Sequence, residues 1–94
     1  MDASFAVIKP RLSIAIPTYR RRTALDATLR ALADQIGAQQ IPILVLNNDA
    51  EHPIRREDIP DMGCVDVVVH NNRYNVGANT NILRCLEYAE SDYV

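Results

Sequence analysis

Glycine and cysteine are scarce in this 94-residue chain: it has three glycines, two cysteines, one phenylalanine and no tryptophan. The glycines form neither GxxxxGK[ST] nor GxGxxG, so the two commonest nucleotide-phosphate motifs are absent. Cys64 and Cys85 lie far apart and outside any CxxC or Cys/His spacing, which indicates neither a disulfide framework nor zinc. Both are expected to be small buried hydrophobes. No apolar run reaches about 18 residues and no basic-then-apolar leader is present, so neither a membrane span nor a signal peptide is expected. The cytoplasm is the default address. A formal net charge of -2 gives no general basic excess, and a nucleic-acid partner, which would show a basic face or stripe, is not expected. His52 and His70 have no metal spacing and read as ordinary surface or loop residues. Neither Ser13 nor Ser91 sits in a nucleophile elbow.

What is present is 48% hydrophobic residues, enough for one globular domain. A chain of this length buries roughly 60 to 65% of its unfolded surface, so its core is small. Residues 1 to 9 read as a lead-in. Leu12, Ile14 and Ile16 then alternate with small residues as a first strand, ended by Pro17, which lacks a ladder donor. Leu25, Leu29, Leu32 and Ile36 share one helical face, with Thr23 as N-cap and Gly37 as stop. Ile43 to Leu46 form a continuous apolar run, the mark of a strand buried on both faces. Glu51 to Met62, with two prolines and several charges, reads as a loop with at most a helical turn. "CVDVVVHNN" is a third strand and "RYNVGANTN" a polar turn. Ile82, Leu86, Ala89 and Tyr93 step along a second helix, and "SDYV" starts a fourth strand. This order predicts an α/β fold with a mostly parallel sheet, right-handed connections and flanking helices.

Each strand runs into polar residues: Pro17 to Arg20, Asn47 to Asp49, and Asn72 to Asn81. In a parallel sheet these edges converge where open α/β sheets bind ligands. Thr, Asn and Asp there can read a base and ribose through paired donors and acceptors, and a helix start can hold phosphate oxygens. Turn chemistry alone also favours Asn and Asp at such places. Arg20, Arg21 and Arg22 read either as a solvated helix start or as an anion contact. Gly77 either serves a positive φ or close ligand approach, or simply opens the turn.

Together "LSIAIPTYRR", "ILVLNNDA" and "NVGANTNILRCLEYAESDYV" resemble the N-terminal half of a family 2 glycosyltransferase of the GT-A fold, from Leu12 to Val94. The last block is most similar to transferases of bacterial surface polysaccharides, including the abequosyltransferase-like group. The resemblance implies a partial Rossmann-like GT-A domain of three to four strands over residues 1–94, ending before the family's Asp-x-Asp motif. It implies a nucleoside diphosphate sugar bound across the strand ends, with Pro17, Thr18 and Tyr19 lining the nucleoside pocket. Asn47 stands where the family usually has a base-contacting aspartate, followed by Asn48 and Asp49. Asn75, Gly77 and Asn81 match the residues near the ribose and diphosphate. Thr80 replaces a common basic residue, leaving Arg73 or Arg20 to supply positive charge.

The family's metal-binding Asp-x-Asp and catalytic base lie beyond these residues, and Asp92 comes too early to be that motif. The resemblance therefore implies a piece of an enzyme, inactive alone, whose complete form uses a divalent cation, Mn or Mg, and a carboxylate base. The acceptor would be a glycan or a lipid-linked glycan, and the place cytoplasmic, with a peripheral position at the inner membrane face as a variant. The alternative reading is a non-catalytic nucleotide-binding or interaction module. A nucleotidyltransferase would want a glycine-rich basic loop after the first strand, and "PTYRRR" has no glycine.

Overall fold

The computed structural model describes residues 12–88. Strand β1 (Ile14–Thr18) leads to helix α1 (Arg22–Ile36), strand β2 (Ile43–Asn47), a short 3-10 turn (Arg56–Asp58), strand β3 (Val67–Asn71) and helix α2 (Ala78–Tyr88). The strands form one parallel sheet in the order β1-β2-β3. Their register is flush: Ile14, Ile43 and Val67 share one level, and Thr18, Asn47 and Asn71 share another. Apolar starts and polar ends are thereby gathered at opposite ends of the sheet. The expected α/β architecture with a parallel sheet and flanking helices is present.

The pleat sends alternate residues to opposite faces. Ile14, Ile16, Ile43, Val45, Val67 and Val69 pack with Leu25, Leu29 and Ile36 of α1 and with Ile54, Met62 and Val65 of the β2–β3 connection. This is the main core, and both crossovers of the first three strands lie on its side. Helix α2 packs instead on β1 and β2 from the other face, where Leu46 is fully buried. It reaches β3 through Tyr88, which stacks on His70, but leaves Val68 59% exposed.

Several local expectations are corrected. Pro17 does not end β1, which runs through it to Thr18. The bonds from the Ile14 amide to the Pro42 carbonyl and from the Asn48 amide to the Thr18 carbonyl show that even-numbered β1 residues turn their backbone groups toward β2. Pro17 thus lacks a donor only on the side away from β2. Thr23 is not the N-cap: α1 begins at Arg22 with no side-chain cap at Arg21. Instead the Arg22 guanidinium donates to the carbonyls of His52 and Pro53, 3.0 Å each, pinning the helix start to the following loop. Gly37 does close α1, at φ 58°, donating its amide to Ala33. The loop from Glu51 to Met62 holds only the expected helical turn.

In α2 Asn81 and Cys85 are buried, while Ile82 is 52% exposed. The reason is a carbonyl: Asn81 Nδ2 donates to the Leu46 carbonyl at 3.1 Å, and satisfying a buried acceptor outranks burying one more methyl group. Cys85 is buried as expected, but Cys64 is exposed in the turn before β3. The expected lead-in at 1–9, the side chain of Leu86, Ala89, Tyr93 and the expected fourth strand lie outside what the structure describes. Among the described residues no helix is long and apolar enough to cross a membrane.

Candidate functional site at the carboxyl ends of the strands

Beyond the level of Thr18, Asn47 and Asn71, the chain would expose unpaired backbone groups unless side chains met them. Amides do so here. Asn47, 2% exposed, donates to Asn71 Oδ1 at 2.9 Å and to the His52 carbonyl at 3.0 Å, and accepts the Asp49 amide at 3.1 Å. Asn71 in turn clamps Ile54 from both sides, accepting its N–H at 2.9 Å and donating to its carbonyl at 3.0 Å.

One residue along, the pleat points Asn48 and Asn72 to the α2 side. Asn48, also buried, donates to Asn75 Oδ1 at 2.9 Å. Its own Oδ1 accepts both Asn72 Nδ2 and the Val76 amide at 3.0 Å. Asn72 also donates to Asn81 Oδ1 at 2.8 Å, and Asn75 accepts the Gly77 amide at 2.8 Å. The β3–α2 turn is therefore held to β2 by uncharged amides. Gly77 sits at φ 87°, a conformation that favours glycine.

These contacts shape a cleft of about 520 Å³. One wall is Pro17, Thr18, Tyr19 and Arg21 from the β1–α1 turn; the other is Asn75, Gly77 and Ala78, with Asn48, Asn81 and Ile82 completing it. Tyr19 offers a partly exposed ring. The start of α2 contributes first-turn N–H groups that have no partner within the helix.

A second hollow, about 470 Å³, lies beside it and is lined by Arg20, Arg22, Asp49 and His52. Asp49 is 4% exposed; its Oδ2 takes Arg20 Nε at 3.2 Å and lies 2.8 Å from His52 Nδ1. Oδ1 accepts the Glu51 amide at 3.2 Å. Burial pushes the Asp49 carboxyl up, but the His52 bond and charge, the Glu51 amide and the Arg20 charge together hold it below its ordinary value. Arg20 adopts φ 55°, an uncommon left-handed backbone for a non-glycine residue. Its guanidinium carbon sits 4.9 Å from the Tyr19 ring centre, within cation–π range, so it joins the two hollows.

Of the residues expected at the site, Pro17, Thr18, Tyr19, Asn75, Gly77 and Asn81 come together at the cleft. Arg20 and Asp49 meet in the adjoining hollow. Asn47 stands apart, its amide committed inside the rim. Arg21, which reads from sequence as a solvated helix start or an anion contact, lines the cleft with Asn48 of the second polar edge, and His52, expected as an ordinary surface or loop residue, lies on its loop against Asp49 in the hollow. The signal for Asn48 was the pleat: if Asn47 faces α1, the next residue faces the cleft. For His52 it was the three-residue spacing to Asp49 across a turn.

No family model, curated protein or solved structure matches this chain. Among the described residues no group of three His, Cys, Asp or Glu side chains comes together as a metal site. The donors present do not fit a divalent cation. What the cleft does offer is an aromatic ring, a glycine turn, uncharged amides and a helix start. That set suits a flat polar ring joined to an anionic group.

Proposed function

We propose that this chain forms the nucleotide-binding part of a glycosyltransferase, which when complete moves a sugar from a nucleoside diphosphate sugar to a glycan or lipid-linked acceptor. The observation that carries this reading is the convergence of Pro17, Thr18 and Tyr19 with Asn75, Gly77 and Asn81 on one cleft. These belong to the first and last of the blocks that resemble the family, distant in sequence and adjacent in space. Tyr19 would stack on the base, and the first turn of α2, behind Gly77, would face the diphosphate. Arg20 or Arg21, on the β1–α1 turn, would supply positive charge. Asn47 would act from inside the rim, shaping the base pocket without touching the ligand. A cytoplasmic place, at or near the inner membrane face, belongs to the same proposal.

Titration calorimetry with UDP, dTDP, GDP and CDP, with and without manganese, tests it. Saturable binding of at least one nucleotide is expected, weakened roughly 5- to 150-fold by Tyr19→Ala, the range for losing one base–aromatic stack. A folded chain that binds none of them would remove the proposal's basis.

A further inference from the structure

Strand β3 pairs on one side only among the described residues. The Ile43 amide bonds to the Asp66 carbonyl and the Asn72 amide to the Asn47 carbonyl, so even-numbered residues of this segment turn their backbone groups toward β2. The N–H and C=O groups of Val67 and Val69 point the other way, and no described residue takes them. Nothing on the strand blunts that edge: "VVVHN" carries no proline, lysine or bulge, the devices that keep edges from pairing. Beside it lies a groove of about 590 Å³ that Val67 and Val69 help to line.

The segment Asp66-Val67-Val68-Val69-His70 is close to a palindrome, with an acid at one end and an imidazole at the other. We infer that β3 pairs antiparallel with β3 of a second copy of this chain, about a two-fold axis through Val68. In that register Val67 of one copy faces Val69 of the other, and the two exchange both N–H···O bonds, as outward-facing residues of an antiparallel ladder do. Val68 meets Val68, covering the side chain that α2 leaves open. Asp66 of each copy faces His70 of the other, a carboxylate opposite a ring N–H, twice per dimer. The His70 ring is already held by stacking on Tyr88, with centroids 4.3 Å apart. Shifting the axis to Val69 keeps the backbone bonds but sets Asp66 against Asn72, whose Nδ2 already donates to Asn48 and Asn81, and His70 against Val68, so both Asp66–His70 pairs are lost. The side chains thus select one register, and the symmetric closure limits assembly to a dimer.

Sedimentation equilibrium and directed cross-linking test this without reference to nucleotide binding. In a Cys64→Ser background, Val68→Cys should form an intermolecular disulfide readily, because non-hydrogen-bonded antiparallel partners have Cα atoms at about 4.5 Å, inside disulfide range. Val69→Cys, set against Val67, should not. Val69→Pro removes only an outward N–H, as Pro17 does in β1, and should raise the dimer dissociation constant about 30-fold for two symmetry-related bonds lost. Circular dichroism would confirm that the variant is folded. A chain that sediments as a monomer up to hundreds of micromolar, or that cross-links better through residue 69 than 68, would overturn the inference.

Discussion

Under α1, Leu29, Ile43 and Val45 are fully buried and bring no polar atom with them. At the end of the same strand as Ile43 and Val45, Asn47 is almost equally buried and makes hydrogen bonds to Asp49, His52 and Asn71. The first region is held by area and shape, which several hydrophobic side chains can supply. The second is held by donors facing acceptors, and only the right amide in the right rotamer supplies those. The apolar face therefore sets how stable the domain is, and the amide rim sets where the Asn75–Gly77 turn stands against Tyr19.

If that division holds, Leu29→Ala gives the largest loss of stability. A side chain with no exposed surface leaves a cavity worth about 2 to 5 kcal/mol, read as a lowered urea midpoint. Nucleotide affinity of the fraction still folded should change little. Asn48→Asp, nearly isosteric, comes next. The carboxylate keeps its bonds from Asn72 and Val76 but sets an acceptor against Asn75 Oδ1, where Nδ2 now donates. About 1 to 3 kcal/mol of stability should go, and here affinity should fall too, because the turn is released.

Acid sharpens the comparison further. Asp49 has a folded pKa below its ordinary value of 3.8, so its contribution is fully present above that value and is lost as pH falls through the folded one. Thermal melts of the native chain and of Asp49→Asn should converge progressively below about pH 4. The smallest effect is expected at Thr23, which does not cap α1. Thr23→Ala should move the melting midpoint by no more than about 0.5 kcal/mol equivalent, whereas a working cap would lose about 1.

The strands, the first helix and the convergence of polar edges were legible because they follow from periodicity and from parallel topology. Ile43 to Leu46 could be buried only between two layers, and Gly37 could only stop its helix. What periodicity could not reveal was which residue satisfies which buried group. Ile82 was expected inward from apolar spacing, yet Asn81 is the residue that turns in, since the Leu46 carbonyl needs a donor. Thr23 looked like a cap until Arg22 reached across to the carbonyls of His52 and Pro53, a contact some 30 residues away in sequence. At the site, the aromatic and glycine positions were readable from the turn sequences, while the separate duties of Asn47 and Asn48 depend on the pleat and on partners in β3. Local pattern gives the scaffold; satisfying buried polar groups gives the site its walls.

The central claim is that the cleft between the β1–α1 turn and the start of α2 takes a nucleoside diphosphate. The most direct measurement is a titration of ¹⁵N-labelled chain with UDP, dTDP, GDP and CDP, following backbone amides by NMR. Saturable shifts centred on Tyr19, Gly77 and Ala78, with Val67 to Val69 unmoved, are the predicted result. Shifts centred instead on Glu51 and His52, with Tyr19, Gly77 and Ala78 unmoved, or none with any nucleotide, would contradict it.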